Sequence, residues 1–285
     1  MAFLRPERGG TYIDATLGLG GHSQALLETA ERSGKELIVL GIDQDEEALG
    51  LARQRLGDRI RYFHGNFADL REAAKTLAQP VAGILMDLGI SSFQLDTPNR
   101  GFSFTADGPL DMRMDQSAQT TAERIVNTWS EPELTRVFFQ YGEERLGRKI
   151  ARFIVDRRQK QPFHSTADLA ELVTRAYPPS ARFRHPHPAT RVFQALRLTV
   201  NGELEALTAG LEAALTLLAP GGRLAVISFH SLEDRIVKHR FRQAEQETGY
   251  TVLTKKPVTA TADEIVANPR SRSAKLRVIE RNQVE

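Results

Sequence analysis

Short apolar runs alternate with helix-forming stretches over the first part of the chain. Apolar and β-branched residues predict strands at residues 11–15, 36–43, 59–64 and 83–88. Apolar residues at helical spacing predict helices between them, at residues 23–32, 45–56 and 67–77. Runs such as Leu37–Leu40 are apolar at every position, which is typical of parallel strands covered on both faces. The alternation therefore predicts a doubly wound α/β fold.

A helical insertion interrupts this pattern. The alternation stops after Gly89, where turn formers and aromatic residues predict a long loop of the functional kind, and amphipathic helices follow. The α/β pattern resumes with an apolar strand at 223–229, and closing strands are predicted at 250–255 and 275–281. We therefore predict a discontinuous α/β domain at 1–105 and 196–285, with a helical domain at 106–195.

The composition is that of a globular protein without disulfides. Of the 285 residues, 41% are hydrophobic and none is cysteine, which excludes cysteine-ligated zinc and any thiolate nucleophile. No apolar run approaches the roughly 18 residues that span a bilayer, and the start lacks a signal-peptide core, so a cytoplasmic protein is predicted. The net charge is only +2, but residues 145–160 are strongly basic. Such a run is either a solvated helix face or an RNA-binding surface.

The stretch Thr11–His22 is predicted to be a strand, a glycine-dense turn and the start of a helix. Gly18, Gly20 and Gly21 permit backbone angles closed to other residues. Such a turn directs free N–H groups at a nucleotide, although it also serves as a plain connector. Asp43 follows the second strand, where an acid accepts hydrogen bonds from ribose hydroxyls; a helix cap is the alternative.

Acidic residues favour a sulfonium cofactor over a dinucleotide. Asp14 lies four residues before Gly18, where a carboxylate would repel a pyrophosphate but attract the cationic S-adenosylmethionine. Phe67 follows the third strand and is predicted to stack on adenine. Asp87 follows the fourth strand, where the methyl group would be delivered. A nicotinamide-dependent Rossmann enzyme is the alternative.

Longer motifs extend over nearly the whole chain. They occupy residues 14–23 (DATLGLGGHS), 41–45 (GIDQD), 85–96 (LMDLGISSFQLD), 100–104 (RGFSF), 108–115 (GPLDMRMD), 141–145 (YGEER), 188–197 (PATRVFQALR) and 228–235 (SFHSLEDR). In sequence and order they resemble the bacterial 16S rRNA (cytosine-N4)-methyltransferases, the MraW/RsmH family. The resemblance implies a class I S-adenosylmethionine-dependent methyltransferase, with a Rossmann-like, seven-stranded, mostly parallel sheet and an inserted α-helical domain for RNA recognition.

The resemblance also implies a substrate and a set of cofactor contacts. The substrate would be the exocyclic N4 of one cytidine, of the 1402 type, in the decoding region of 16S rRNA in the small (30S) ribosomal subunit. The family's contacts with S-adenosylmethionine fall on Gly20, Gly21, His22, Asp43, Phe67, Asp87 and Gln94. Asp14 and Gly18 are added to them from the strand pattern.

Two features differ from the family pattern. The family has a His-x-Pro-Val-Leu-Leu-like segment before the first strand, and this chain starts too late to contain it. We therefore expect either a truncated chain or a cofactor pocket that lacks one wall. Arg184–Pro188 contains His185 and His187 where a single His-Pro is expected. A loop extension is the preferred interpretation; a metal pair lacks a third ligand, so no metal is predicted.

The missing cysteine also bears on the target atom. Methylation of cytosine at carbon 5 generally uses a thiolate, whereas N4 needs only an acceptor that turns its lone pair towards the methyl group. Asp87 is predicted to be this acceptor, assisted by Ser91 or Ser92, on a base taken out of its stack. The alternative is that Asp87 serves the cofactor only. Phe102 or Phe104 would stack on that base.

The remaining predictions concern RNA. His230 follows the strand at 223–229 and is predicted to contact the target base or a phosphate; the alternative is a residue that fills a loop. Further RNA contacts are predicted for Arg113, Arg145, Arg148, Lys149 and Arg152. Trp129 is assigned to the core of the helical block. The rival function is an S-adenosylmethionine-binding assembly factor with weak or no catalysis. The oligomeric state is open, a homodimer included.

Overall fold

The computed structural model describes residues 1–78, 80–182, 187–247 and 249–283. The chain forms two compact units: an α/β unit, Met1–Gly89 with Leu204–Glu285, and a helical unit, Ile90–Glu203. The insertion predicted at 106–195 lies inside the helical unit, which begins earlier and ends later. The loop after Gly89 belongs to this unit because Phe102 is packed in its apolar core.

One sheet runs through the α/β unit. Its strands are β1 (Gly10–Asp14), β2 (Leu37–Asp43), β3 (Arg61–His64), β4 (Val81–Asp87), β5 (Leu218–Ser228), β6 (Tyr250–Val252), β7 (Val258–Thr259) and β8 (Lys275–Arg281). Their order is β3-β2-β1-β4-β5-β8-β6, and β7 pairs with β8. β1 to β5 are parallel, while β8 is antiparallel to its neighbours. The mostly parallel sheet is confirmed, with β7 as an eighth strand beyond the seven expected.

The helices follow in chain order. Those before the helical unit are α1 (Gly21–Arg32), α2 (Glu46–Leu56) and α3 (Leu70–Ala74). Those within it are α4 (Ser92–Asp96), α5 (Ala122–Thr128), α6 (Glu131–Gln140), α7 (Gly147–Arg158), α8 (Thr166–Ala176) and α9 (Thr190–Asn201). Then come α10 (Glu203–Leu217), α11 (Ser231–Gln246) and α12 (Ala262–Ala267). The helix predicted at 67–77 shortens to α3 because Asn66 first caps a 3-10 turn.

The α/β unit has an apolar core on each face of its sheet. Neighbouring residues of a strand point to opposite faces, so the buried Tyr12 and Ile13 belong to different cores. Gly83 makes room for Tyr12, since a Cβ there would lie 2.5 Å from the ring. The Tyr12 hydroxyl donates to the carbonyl of Arg5 at 2.9 Å, which satisfies its polar end.

The helical unit has a core of its own. Leu110, Phe138, Ile150 and Phe163 are fully buried in it, and Trp129 lies half-buried at its margin. Each long helix turns one apolar face inward, which leaves its charged residues on the surface. No helix among the described residues of either unit is long and apolar enough to cross a membrane.

Candidate active site

Three neighbouring parallel strands end in aspartate. β2, β1 and β4 lie side by side and end at Asp43, Asp14 and Asp87. The direction of strand order reverses between β1 and β4, which makes their carboxyl ends the switch point of the sheet. Ligands of open α/β sheets bind in the crevice at such a point. The aspartates therefore stand at the edge where a nucleotide is expected.

The glycine turn after β1 is held against the end of β2. The Leu17 N–H donates to the carbonyl of Ile42 at 2.9 Å, and the Gly18 N–H donates to Asp43 Oδ2 at 2.7 Å. Asp43 Oδ1 accepts from the Asp45 N–H at 2.9 Å. Each carboxylate oxygen has a second lone pair, so Asp43 can hold the turn and accept from ribose hydroxyls as well. Burial raises the pKa of Asp43 to about 6.

Asp45 is the residue that caps α2. Its side chain accepts from the N–H groups of Glu47 and Ala48. The alternative assignment of Asp43 as the helix cap is therefore wrong, and its ribose contact stays a prediction.

Gly20 precedes α1 in a conformation that alanine resists. Its φ is 78°, and a Cβ would lie 2.5 Å from Leu56 Cδ1. We expect Gly20→Ala to lower the free energy of unfolding by about 1–2 kcal/mol through the backbone alone, with the clash adding to this. Urea denaturation measures the change. Gly21→Ala is the matched control, because no atom lies within 4 Å of its Cβ position. An equal loss in both variants would contradict this explanation.

Asp14 lies behind the site. It is 0% exposed and accepts from the Ser23 hydroxyl at 2.8 Å and from the Thr16 N–H at 3.4 Å. Burial raises the pKa of its carboxyl, which the neighbouring His22 lowers in part. A fully buried carboxylate has no surface to offer a ligand, so this geometry does not support the predicted contact with the cofactor. The negative charge of Asp14 affects the site electrostatically, because it contributes to raising the pKa of His22.

His22 and Asp87 form a polar pair at the end of β4. His22 Nε2 lies 3.1 Å from Asp87 Oδ2, and this hydrogen bond is the main cause of the raised pKa of His22. Asp87 Oδ1 is buried and makes no hydrogen bond to any residue that the structure describes. A buried carboxylate oxygen without a protein donor is available to accept a hydrogen bond from a ligand or from water.

Thr16 and Ser23 are site residues that the sequence reasoning missed. The Asp87 N–H donates to the Thr16 hydroxyl at 2.7 Å, which ties the end of β4 to the turn after β1. Ser23 in turn fixes Asp14. Both residues lie in the motif at 14–23, so a small hydroxyl side chain on each side of the glycines was the available signal.

Phe67 follows β3 and packs against α10. A Cβ at Gly210 would lie 2.9 Å from Phe67 Cδ2. The ring is half-buried against the core of the α/β unit, so part of its surface is open to a ligand. Beside it, the Asn66 amide donates to Gln44 Oε1 at 2.8 Å. The stacking of Phe67 on adenine stays a prediction.

Ser91 and Gln94 form a capping box at the start of α4. The Ser91 hydroxyl accepts from the Gln94 N–H, and Gln94 Oε1 accepts from the Ser91 N–H, both at 3.1 Å. Gln94 is 4% exposed, whereas Ser92 is exposed. Ser91 and Gln94 therefore have a structural role, and the catalytic and cofactor contacts of the three residues stay predictions.

Phe102 is a core residue, in contrast to the prediction that it stacks on a base. It is 6% exposed within the helical unit, so it presents no free face. Phe104 is half-buried, with His187 stacked at 4.8 Å and Phe193 edge-on at 4.9 Å. Of the two predicted platforms, Phe104 is the one that keeps exposed surface.

His187 belongs to this aromatic cluster. Its Nδ1 accepts from the Ala189 N–H at 3.1 Å, and burial lowers its pKa. The rest of the two-histidine loop, Arg184–Pro186, lies outside the described residues. Within the described ranges no group of three or more histidine, cysteine, aspartate and glutamate side chains could hold a metal.

His230 caps α11. Its Nδ1 accepts from the Glu233 N–H at 3.4 Å, and Glu233 Oε2 accepts from the Phe229 N–H at 2.8 Å. His230 Nε2 lies 3.1 Å from Glu233 Oε1, and the His230 side chain is 12% exposed. The residue thus has a structural role at the start of the helix, and its contact with RNA stays a prediction.

The basic residues predicted to contact RNA differ in whether their side chains already make hydrogen bonds or ion pairs within the protein. Arg145 and Arg148 are exposed and make no hydrogen bond or ion pair with a described residue. Lys149 donates to the carbonyl of Ala176 at 2.6 Å, and Arg152 lies 3.9 Å from Asp156. The two arginines are therefore the cations of this group that an added anion could engage without breaking a contact.

Arg113 organises a loop. Its guanidinium pairs with Asp111 at 2.7 Å and donates to the carbonyls of Gln116 and Ala118. The predicted RNA contact of Arg113 is not supported by this geometry, because its donors are used within the helical unit.

The sheet order, the glycine turn and the aspartates at the strand ends define a class I methyltransferase fold, whose cofactor is S-adenosylmethionine. The model of the MraW methylase family matches residues 1–282. The chain belongs to the MraW methylase family.

Curated relatives extend over the same length. The ribosomal RNA small subunit methyltransferase H of Sorangium cellulosum is 51% identical over 285 residues, which cover 99% of this chain and 88% of that protein. The protein of the same name from Carboxydothermus hydrogenoformans is 50% identical, covering 98% of this chain and 94% of its own length. An rRNA methylase from Streptococcus thermophilus overlaps 99% of this chain and 93% of its own, with a TM-score of 0.45 and 13% identity.

Proposed function

We propose that the protein transfers a methyl group from S-adenosylmethionine to N4 of a cytidine in small-subunit rRNA, the 1402-type cytidine of the decoding centre. The observation that carries this proposal is Asp87 Oδ1, a buried oxygen at the switch point without a hydrogen-bond donor among the described residues. An exocyclic amine is such a donor. The relatives' name, ribosomal RNA small subunit methyltransferase H, supports rRNA as the source of that amine.

Asp87 orients the amine and takes its proton. Oδ1 accepts from one N4–H, which turns the nitrogen lone pair out of conjugation with the ring. S-adenosylmethionine, when bound, supplies an electrophilic methyl group whose bond to sulfur breaks as the bond to N4 forms. The proton that N4 then loses passes to Asp87 and on to solvent, so the base leaves neutral.

The residues around Asp87 hold it in place and leave one of its carboxylate oxygens available to the amine. His22 donates to Oδ2 and leaves Oδ1 for the amine. Thr16 fixes the main chain of Asp87. Asp43 and the N–H groups at the start of α1, which follows the glycine turn, would hold the ribose and the adjoining part of the cofactor.

The absence of cysteine supports N4 over carbon 5 of the same base. Attack on carbon 5 generally begins with a thiolate adding to the ring, and this chain contains no cysteine. N4 methylation needs no covalent intermediate, so a hydrogen-bond acceptor and correct positioning suffice.

The test is methyl transfer to unmethylated small subunits and to free 16S rRNA, with isotopically labelled S-adenosylmethionine and mass spectrometry of the nucleosides. We expect labelled N4-methylcytidine at one position. Label on carbon 5 would overturn the assigned atom. Cofactor binding without transfer would favour the assembly factor. Calorimetric binding of NAD in place of S-adenosylmethionine would favour the nicotinamide enzyme.

RNA binding by the helical unit depends on Arg145 and Arg148 in this proposal. Replacing both with glutamine should reduce RNA affinity and reduce the slope of log affinity against log salt by about 1.4–1.8, since each phosphate contact contributes about 0.7–0.9. Fluorescence anisotropy with an rRNA fragment measures both quantities. The control is Lys35→Gln with Arg71→Gln, two exposed cations of the α/β unit. Equal slopes in the two double variants would contradict the assignment.

A further inference from the structure

One cavity of the α/β unit lies outside the strand-end site. It has a volume of about 220 Å³ and is formed by α11, β6, β8 and the residue Lys255 beyond β6. None of the three strand-end aspartates lines it. Its apolar part comes from Phe241, which is 1% exposed, and from Val252.

The face of α11 that lines this cavity is basic. Lys238, Phe241, Arg242 and Glu245 are spaced three and four residues apart, so they share one side of the helix. Glu245 Oε1 accepts from the Val252 N–H at 3.0 Å, which fixes the carboxylate at the rim.

The positive charge of the cavity is not balanced from within. Arg277 is 6% exposed and pairs at 2.7 Å with Asp234, a carboxylate that it shares with Lys275. Lys238, Arg242 and Lys255 make no hydrogen bond or ion pair with a described residue. Three free cations against the single carboxylate of Glu245 leave an excess of two positive charges around the cavity.

We propose that this cavity binds a phosphate group of the RNA backbone. The α/β unit would then bind the substrate through a contact that does not involve the helical unit. The proposal rests on the proposed function, because RNA is the substrate there. The cavity is several times larger than the ~30 Å³ that a water molecule occupies in the liquid. Lysine and arginine are the side chains that contact phosphates in RNA and DNA complexes.

The test is the variant Lys238→Gln/Arg242→Gln/Lys255→Gln, with RNA affinity measured by fluorescence anisotropy over a range of salt concentrations. We expect the slope of log affinity against log salt to fall by about 0.7–0.9, the contribution of the one phosphate contact that the variant loses. Transfer at saturating RNA should be unchanged, because the cavity is separate from Asp87. Arg277 is kept so that its ion pair with Asp234 survives.

The matched control is Arg8→Gln/Lys35→Gln/Arg71→Gln, which removes the same charge from exposed residues of the same unit. Equal slopes for the two triple variants would overturn the proposal. The lysines would then be assigned to protecting the edge strand β6 from pairing with another chain. A second outcome would also overturn the proposal: the cavity variant loses the binding of inorganic phosphate, but its salt slope for RNA is unchanged. The cavity would then be assigned to free phosphate. Failure of the wild type to methylate RNA would instead overturn the proposed function.

Discussion

Replacing Asp87 with alanine is expected to slow methyl transfer by about 10²- to 10⁴-fold, the usual contribution of a positioned acid or base. Oδ1 is assigned to the N4 amine, and Oδ2 is held by His22 at 3.1 Å. The substitution removes both the atom that orients the lone pair and the atom that takes the proton. Single-turnover transfer to unmethylated small subunits measures the rate of the chemical step.

Asp87→Asn separates these two tasks. An amide oxygen can accept a hydrogen bond from N4 but does not take up its proton, so transfer should fall while the shape of the site is kept. Calorimetry with S-adenosylmethionine and thermal unfolding show whether cofactor binding and folding are preserved. Normal turnover of Asp87→Ala would exclude this residue from catalysis and from cofactor binding alike.

Asp43→Asn is expected to weaken S-adenosylmethionine binding about 10- to 100-fold, because a hydrogen bond to a charged group contributes about 1.5–3 kcal/mol. Asparagine keeps one acceptor oxygen and loses the other, so it cannot serve the Gly18 N–H, the Asp45 N–H and the ribose together. Isothermal calorimetry measures the affinity. Asp45→Asn is the control, since asparagine caps α2 equally well and the site keeps Asp43. Equal losses in both variants would contradict the ribose assignment.

The affinity of the wild type for S-adenosylmethionine should also fall as the pH drops below about 6, the pKa to which burial raises Asp43. An ordinary aspartate has a pKa of about 3.9, so the folded chain binds this proton more tightly than the unfolded chain. The contribution of Asp43 to stability therefore declines from about pH 4 to 6 and stays unfavourable above. The ribose hydroxyls donate to the ionised carboxylate of Asp43, so its protonation weakens cofactor binding. In Asp43→Asn the fall in cofactor affinity near pH 6 should vanish. Any pH dependence that remains would then come from His22.

The strand ends show how much of the site could be predicted. A parallel strand covered on both faces is a continuous apolar run, so the first acid after the run marks its end. This pattern predicts Asp43 and Asp87 at strand ends, and the structure confirms both positions. The same pattern predicts the position of Asp14, but periodicity does not show that Ser23 covers its carboxylate, so the ligand contact predicted for Asp14 is not supported.

Phe102 shows the corresponding limit in the helical unit. An aromatic residue in a long loop is equally consistent with a ligand contact and with core packing. Its neighbours in the core are distant in sequence, so only the folded unit shows that the residue is buried. The same packing extends the helical unit back to Ile90, earlier than the predicted start of the insertion at residue 106.

By itself the sequence determined the α/β alternation, the glycine turn, the acids at the strand ends and the family. These are local patterns, since a strand, a turn or a motif is specified by residues close together in the chain. Only the tertiary structure decided that Thr16 holds Asp87, 71 residues away, and that Asp87 keeps one oxygen without a partner among the described residues. It also decided that Lys238 and Lys255 line one cavity. Such contacts join elements that the chain separates, and packing selects among the many pairings that local pattern allows.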